Sequence, residues 1–384
     1  MIPRTLFSES HDIFRESVRR FIATEIKPYH DEWQKAGITP RSLWTKAGEA
    51  GLLCPYVPQE YGGYDADFLY SVIVIEELAI ANTPDIAFYT HSDIAGTYIL
   101  DFGTPAQKAA LLPKMVTGER IVALCMSEPD AGSDVANIKT SAVRTGDEYV
   151  INGQKVFITN GHNADMFVVA CKTDPGARGR GISMILVDGD TPGVRRGRNL
   201  EKIGLKSQDT AEIFFDDVRV PVSNILGEEN MGFRLMMASL PAERLVQAVR
   251  AATSAETVLQ WTIDYTKERK AFGQSVADFQ AIQFRFANLK ADIVAQRVLV
   301  DRCIELHLEG KLDAIDGALV KLSSTEVQAK VIDECMTCFG GWAYMWEYPI
   351  ARAFVDARAA RLAGGTTDIM RLIIGRDLVS AKNH

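Results

Sequence analysis

The stretch DEYVINGQKVFIT, residues 147–159, decides the fold because it interrupts a chain that otherwise has the pattern of helices. Two runs of β-branched and aromatic residues flank Asn152-Gly153, the dipeptide most typical of a tight turn between antiparallel strands. We therefore predict a β-hairpin with its turn at these two residues. Three more β-rich runs follow, MFVVACKTD, ISMILVDG and AEIFFDDVRVP. Together they predict a small β domain over residues 121–226.

The residues before this β domain have helical periodicity. In DIFRESVRRFIATEI, apolar residues recur every three or four positions, at Phe14, Val18 and Phe21. This spacing is typical of an amphipathic helix, and Ser8 or Ser10 can cap its start. The runs SVIVIEELAIA and PAQKAALLPKMV continue the helical pattern. We predict an α-helical domain over residues 1–120.

Helical periodicity returns after the β domain. Apolar residues step by three and four at Phe279, Ile282, Phe286, Leu289 and Ile293. Such a stripe indicates a long helix that packs against a partner helix. We predict a helical bundle over residues 227–384, packed closely against the other two units because no linker rich in proline or serine separates them.

Composition excludes several classes of protein. The 384 residues are 47% hydrophobic and 24% charged, which is typical of a globular protein, and the net charge of -8 argues against a nucleic-acid partner. The longest apolar run, YSVIVIEELAIAN, is interrupted by Glu76 and Glu77. With no apolar segment at the N-terminus either, we expect a cytoplasmic protein without membrane insertion.

Common catalytic and metal-binding motifs are absent from the sequence. No GxGxxG follows a predicted strand, and there is no HExxH, GxSxG or P-loop. Cys335 and Cys338 form a single CxxC, which more often places two thiols on one buried helix face than at a zinc ion. His91 is interpreted as a residue of a helix face or pocket wall, and no metal site is predicted.

Two stretches remain that could hold a ligand. CMSEPDAGSD, residues 125–134, has small residues that let a backbone approach a polar ligand, although a capped surface turn is an equally ordinary interpretation. LAGGTTDIM, residues 362–370, has two glycines before a predicted last helix, but no group in its first half can move a proton.

Five segments in order resemble those of the acyl-CoA dehydrogenases: MSEPDAGSD, INGQKVFITNG, ERKAFG, FGGWAYMWEYP and GGTTDIM. The resemblance spans nearly the whole chain. It implies a mainly α, α+β fold with an N-terminal helical domain, a small middle β domain and a C-terminal four-helix bundle. It also implies a homotetramer that binds FAD, oxidises an acyl-CoA between Cα and Cβ, and passes electrons to an electron-transfer flavoprotein.

The same resemblance implies which residues bind FAD. Those expected close to the flavin ring are Leu124, Met126, Ser127, Phe157 and Thr159, with Ser133 near both FAD and the CoA moiety. Those expected to contact the FAD of a neighbouring subunit are Arg269, Phe272 and Gln280. Those expected to complete the site are Gly340, Gly341, Thr366 and Asp368. Thr337 departs from the family, because many relatives have glutamine there.

The catalytic base is the most informative departure. Many relatives have a glutamate where this chain has Gly364, whose backbone N–H is implied to bind the thioester carbonyl. In a second branch of the family, which includes the long-chain and isovaleryl-CoA enzymes, the base lies in the bundle, and the matching residue is Glu243. Arg244 and Gly365 are implied to bind substrate. The alternative is that Pro241 opens a helix, and that the helix dipole favours a glutamate such as Glu243 in the first turn.

In this interpretation Glu243 removes the pro-R α-hydrogen as a proton, the β-hydrogen leaves as hydride to flavin N5, and a trans-2-enoyl-CoA forms. A medium- or long-chain substrate is expected, with branched, sterol and terpenoid acyl groups left open. The acyl cavity is expected among residues 88–97. Two alternatives are an acyl-CoA oxidase, which the chain length disfavours, and a flavin-binding interaction protein without catalysis, which Glu243 and the acidic charge disfavour.

Overall fold

A computed structural model describes residues 2–380 and has helical units before and after a central sheet. This confirms the predicted fold class. The predicted α1 begins after Ser8, one of the two proposed caps. The helices of the first unit are α1 Glu9–Phe21, α2 His30–Ala36, α3 Arg41–Glu49, α4 Phe68–Ile80, α5 Thr97–Phe102 and α6 Pro105–Val116.

The central unit is one mixed sheet in the order β6-β7-β3-β2-β4-β5-β8, with β1 parallel to β4. Its strands are β1 Val122–Cys125, β2 Ser141–Thr145, β3 Glu148–Thr159, β4 Met166–Lys172, β5 Ile182–Asp188, β6 Val194–Asn199, β7 Thr210–Pro221 and β8 Ile225–Leu226.

Strand β4 is buried on both faces, which explains its continuous apolar sequence. Val168 and Ala170 pack with residues of α5, α6 and the start of the C-terminal unit. Phe167 and Val169 point to the opposite face and pack with residues of β3 and β7. Strand β4 therefore packs against helices on one face and against side chains of β3 and β7 on the other.

The predicted turn at Asn152-Gly153 is wrong. Both residues lie inside the single strand β3, and the turn that joins β2 to β3 contains Gly146 instead. The register against β7 shifts between Ile151 and Gly153, where β7 has the extra residue of a bulge opposite Asn152. A side chain at Gly153 would place its Cβ 2.5 Å from Oγ1 of Thr140. Glycine is needed at position 153 because Thr140 approaches it closely. The sequence pattern Asn-Gly does not distinguish this requirement from that of a turn.

The C-terminal unit is the predicted helical bundle. Helix α10 packs on both α7 and α9 as its fourth member, and α11 packs on α9. None of the helices within residues 2–380 is both long and apolar enough to cross a membrane. The bounds are α7 Gly232–Glu268, α8 Gln280–Leu308, α9 Ala314–Phe339, α10 Pro349–Ala360 and α11 Thr367–Ser380, with a short hairpin of β9 Lys270–Ala271 and β10 Gln274–Ser275.

Helices α7 and α9 approach closely at Gly317. A Cβ at this position would lie 2.8 Å from Cα of Pro241, a distance that only glycine avoids without moving a backbone. Of the predicted α8 stripe, Leu289 and Ile293 are fully buried against the other bundle helices. Cys335 is buried in the same cluster, and Cys338 is half-buried beside Arg285.

A buried ion pair ties the loop after β1 to strand β3. Nζ of Lys155 donates to Oε1 of Glu128 at 2.8 Å and to the carbonyl of Met126 at 3.1 Å. The Glu128 carboxylate also accepts from the backbone N–H groups of Lys139 and Thr140. Burial would raise the pKa of Glu128, but the Lys155 charge and these hydrogen bonds hold it below its usual value.

We expect the substitution Lys155→Met to destabilise the protein by about 3 kcal/mol, because it leaves the Glu128 carboxylate buried without its cation. Lys139→Met is the matched control: Lys139 pairs with Asp130 at 2.8 Å on the surface, and loss of an exposed pair costs less than about 1 kcal/mol. Urea unfolding at a fixed protein concentration measures both. Equal effects of the two substitutions would contradict the role of the buried pair.

Candidate active site

Glu243 is a carboxylate inside the protein. It is the twelfth residue of α7, which runs unbroken through Pro241 from Gly232, and only 5% of it is exposed. The interpretation that Pro241 opens a helix is therefore wrong. Since helix dipole effects fall off within the first turn, the dipole of α7 does not explain why a carboxylate is buried here.

The surroundings of Glu243 favour its protonated form. Burial raises its pKa to about 7, against the opposing effects of a hydrogen bond from Tyr98 and the charge of Arg244. The Tyr98 hydroxyl donates to Oε1 of Glu243 at 3.2 Å. A carboxyl group with a pKa near neutrality is half-ionised at physiological pH and is a strong base for a carboxylate, which suits it to proton transfer.

The turn between α10 and α11 contacts Arg244, the residue that follows Glu243. Gly364 and Gly365 have φ of +66° and +96°, values that favour glycine. Nε of Arg244 donates to the carbonyl of Gly364 at 3.4 Å, and Nζ of Lys321 donates to the carbonyl of Gly365. The contacts therefore join Arg244, the residue that follows Glu243, to the turn that holds both glycines.

The residues predicted around the flavin ring lie at the end of β1, in the loop that follows it, and in the second half of β3. Met126 and Ser127 are half-buried, and the carbonyl of Ser127 accepts from N–H of Val156 at 3.0 Å. Phe157 has a φ of +62° and is 68% exposed, so the alternative that it is strand core is wrong. Leu124 lies within β1, two residues before Met126, and Ser133 is exposed in the loop that follows β1.

Thr159 lies two residues further along β3 than Phe157. Its Oγ1 accepts from Nε2 of Gln208 at 3.0 Å, which orients the hydroxyl at the end of the strand. An exposed aromatic ring, two backbone segments and a hydroxyl have the chemistry needed to hold a planar, polar ring system. These residues fit a flavin.

The second group of predicted cofactor residues does not join the first within one chain. Arg269 and Phe272 follow the C-terminal end of α7, whose 37 residues span roughly 55 Å at ~1.5 Å per residue. The N-terminal end of α7 packs with Met126 and the sheet. Phe272 is 97% exposed, and Gln280 begins α8 after the same hairpin.

The remaining predicted residues divide between the two ends. Gly340 and Gly341 follow α9 close to Phe339, whose ring stacks on Tyr265 near the C-terminal end of α7. The carbonyl of Thr337 accepts from N–H of Gly340. Thr366 and Asp368 belong to the turn that follows Gly365.

Thr366 caps the start of α11. Its Oγ1 accepts from N–H of Ile369 at 3.4 Å, and Asp368 pairs with Arg371 on the surface at 3.0 Å. These contacts stabilise the first turn of the helix.

A cavity of about 530 Å³ lies between the N-terminal helices and the bundle. Its lining includes Thr97 and Ala242, which are the chain neighbours of Tyr98 and Glu243. Its wall combines apolar side chains with carboxyl groups, and burial raises the pKa of Asp93 to about 7. The lining residues that carry this contrast are Phe68, Leu100 and Leu312 together with Asp67, Asp93 and Asp101.

Of residues 88–97, where an acyl cavity was expected, Asp93 and Thr97 line the cavity, but Phe88 packs against Trp44 with ring centroids 5.1 Å apart. The acyl cavity itself stays a prediction. His91 is a buried structural residue: its Nδ1 accepts from N–H of Val122 and its Nε2 donates to the carbonyl of Met115. Burial lowers the pKa of His91 to about 4, which keeps the ring neutral.

Two residues of the site were missed by sequence reasoning. Tyr98 and Lys321 contact Glu243 and Gly365 from other helices, at sequence separations of 145 and 44. Neither belongs to a short motif, and no local signal marks them. No group of three His, Cys, Asp or Glu side chains in residues 2–380 is arranged to hold a metal ion.

Family models match along the chain in three successive parts. They are described as the N-terminal, middle and C-terminal domains of acyl-CoA dehydrogenase and match residues 8–119, 123–218 and 230–379. Together they cover most of the described structure.

Individual relatives match over almost their whole length. The mitochondrial long-chain specific acyl-CoA dehydrogenase of Rattus norvegicus is 45% identical, over 98% of this chain and 88% of the rat protein. The mitochondrial isovaleryl-CoA dehydrogenase of Oryza sativa subsp. japonica is 35% identical, over 97% and 92%. The crystal structure of an acyl-CoA dehydrogenase from Geobacillus kaustophilus is 48% identical, with a TM-score of 0.96 over 98% and 100%.

We expect Glu243 to titrate near pH 7, and Tyr98→Phe to raise its midpoint by about one pH unit, because the lost hydrogen bond favours the carboxylate. Infrared titration of the protonated-carboxyl band, with the Glu243→Gln spectrum subtracted, measures the midpoint. Tyr149→Phe is the control, since Tyr149 is a buried tyrosine of the sheet. A midpoint below 5 in the wild type would rule out the buried environment described for Glu243.

Proposed function

The chain belongs to the acyl-CoA dehydrogenase family, and we propose that it oxidises a long-chain acyl-CoA to the trans-2-enoyl-CoA with Glu243 as the base. It is an oxidoreductase of that family. The observation that carries the proposal is the buried Glu243 carboxyl group beside the Gly364–Gly365 turn, joined to it through Arg244.

The family is FAD-dependent, and the residues present fit the cofactor. We propose that Leu124, Met126, Ser127, Phe157 and Thr159 hold the flavin ring, with Ser133 close to FAD and substrate. The exposed Phe157 ring and the oriented Thr159 hydroxyl support this assignment. When bound, FAD supplies the acceptor for the hydride that leaves the β-carbon.

Glu243 and Gly364 have different roles in the removal of the α-proton. The Glu243 carboxylate takes the α-proton, and its raised pKa brings its basicity closer to that of the carbon acid. The N–H of Gly364 donates to the thioester carbonyl, where negative charge develops as the proton leaves. Arg244 and Gly365 position these groups around the substrate, in line with the roles that the resemblance implies.

The cavity between the N-terminal helices and the bundle suits the arm that links CoA to the thioester. A pantetheine arm carries amide and hydroxyl groups along an otherwise apolar chain, and the cavity wall combines apolar side chains with Asp67, Asp93 and Asp101. A hydrocarbon tail is a poorer match for three carboxyl groups. We therefore propose that the CoA arm occupies this cavity and that the acyl chain extends beyond Glu243.

A long acyl chain is preferred over a short branched one because the rat long-chain enzyme is 45% identical and the rice isovaleryl-CoA enzyme 35%. A branched acyl-CoA is the second candidate, since both relatives belong to the branch whose motifs match Glu243. The cytoplasmic location stays a prediction, because both relatives are named as mitochondrial.

We also propose that the enzyme is a homotetramer in which each FAD is shared between two copies. Arg269, Phe272 and Gln280 lie at the opposite end of α7 from the residues predicted around the flavin ring. The nearly complete exposure of Phe272 in one chain suits a residue that is covered by a neighbouring copy. Gly340 and Gly341 lie at the same end and would join that shared site.

The proposed function is tested by anaerobic mixing of the FAD-loaded enzyme with palmitoyl-CoA, followed through the oxidised-flavin absorbance. We expect rapid bleaching in the wild type and a rate at least about 10²-fold lower in Glu243→Gln, because the amide cannot take a proton. Glu305→Gln on the surface of α8 is the matched control and should bleach like the wild type.

The same reduced enzyme distinguishes the electron acceptors. Rapid reoxidation by an electron-transfer flavoprotein and slow reoxidation by oxygen would support a dehydrogenase, whereas fast reaction with oxygen would support an oxidase. If palmitoyl, isovaleryl and butyryl thioesters all leave the wild-type flavin oxidised, the enzymatic proposal fails and the non-catalytic alternative gains support.

We expect Ala242→Phe, which fills the cavity that Ala242 lines, to raise KM about 10-fold or more for every acyl chain length, because the CoA arm is common to all substrates. A series from butyryl- to palmitoyl-CoA measures this. A loss confined to long chains would instead assign the cavity to the acyl tail.

A further inference from the structure

Lys321 of α9 is a buried cation that the proposed chemistry does not yet use. Only 1% of the residue is exposed, and its Nζ donates to the carbonyl of Gly365. Its Cε lies 4.0 Å from where a Cβ of Gly364 would be, so the lysine also flanks the first glycine of the turn.

Two buried cations hold consecutive carbonyl groups of this turn. Arg244 reaches the carbonyl of Gly364 from α7, and Lys321 reaches that of Gly365 from α9. Both glycines have positive φ. Because glycine can adopt many backbone conformations, the sequence of the turn does not fix this conformation by itself. Contacts from two different helices therefore fix the orientation of the two carbonyl groups.

The N–H groups of the same turn are left available. Within residues 2–380, the N–H groups of Gly364, Gly365 and Thr366 donate to no protein acceptor, while the next N–H, that of Thr367, donates to the carbonyl of Arg361. Successive free N–H groups in a glycine turn are suited to binding an anionic oxygen. The turn thus has its acceptors bound by cations and its donors free.

We propose that Lys321 is a positioning residue for the oxidation, holding the Gly364–Gly365 turn so that the N–H of Gly364 meets the thioester carbonyl. The inference rests on the proposed function. The ammonium group of Lys321 also places a positive charge beside the thioester oxygen, which becomes negative as Glu243 takes the α-proton. The low dielectric of the buried site makes this charge more effective than it would be in water.

The charge on Lys321 depends on pH. Burial, with a smaller effect of the neighbouring charge of Arg244, lowers its pKa to about 8. The ammonium form is therefore present below about pH 8 and is lost as the pH rises through that value. With Glu243 ionising near pH 7, the two groups limit the reaction to a narrow pH range.

Several other charged groups on and around α9 are paired, and burial raises the pKa of Asp356 of α10, which packs on α9, to about 7. Glu326 of α9 pairs with Arg361 at 2.6 Å, and Arg371 of α11 lies 3.8 Å from it. Arg297 of α8 pairs with Glu76 and Glu256. Arg244 and Glu243 are the charged groups of α7 that face this region.

The test compares Lys321→Met with Lys330→Met, because Lys330 lies on the same helix and pairs with Asp292 on the surface. Anaerobic flavin reduction by palmitoyl-CoA is measured from pH 6 to 9.5, at several substrate concentrations. We expect Lys321→Met to lower the limiting reduction rate about 10²-fold, with little change in the substrate concentration at half-saturation, and to lack the alkaline decline near pH 8. Lys330→Met should match the wild type in all three.

Each outcome decides the inference. A wild-type rate that stays constant from pH 7.5 to 9.5 would overturn it, and this holds even if Lys321→Met fails to fold. An equal rate with an unchanged alkaline decline in a folded, FAD-bearing Lys321→Met would also overturn it. If no acyl-CoA reduces the wild-type flavin, the proposed function itself fails, and the two failures are thereby distinguished.

Discussion

The arrangement of the site depends on the burial of one carboxyl group against two cations. Glu243, Arg244 and Lys321 are all nearly inaccessible to solvent, and none of them lies in a surface ion pair. Isolated buried charges are costly, so each needs a compensating neighbour. The carboxylate has Tyr98 and Arg244, and the two cations have the carbonyl groups of the Gly364–Gly365 turn.

In the proposed reaction, negative charge leaves Glu243 and develops on the thioester oxygen beside the turn as the α-proton is transferred. Arg244 and Lys321 stay bound to the carbonyl groups of the turn while the charge moves. The surroundings therefore need little reorganisation during the step, which is the condition under which fixed charges and dipoles are most effective.

The sequence patterns predicted helical units on either side of a central sheet, which the structure confirms, whereas the site residues came from the family resemblance and their roles stay predictions. Sequence reasoning failed where one local pattern has two physical causes. Asn152-Gly153 was expected to form a turn, but Gly153 is required by the nearness of Thr140 within a continuous strand. Tyr98 and Lys321 were not predicted, because only the packing of α5, α7 and α9 brings them to Glu243 and Gly365.

The contact between α7 and α9 at Gly317 has a consequence for how this chain tolerates change. Gly317 lies one helical turn before Lys321, and the Pro241 backbone that it touches lies two residues before Glu243. A single methyl group at position 317 would force α7 and α9 apart and increase the distance between Glu243 and Lys321. Gly317 is thus limited in size although it contacts no ligand. Substitutions in the interior of the bundle would change the distance between Glu243 and Lys321.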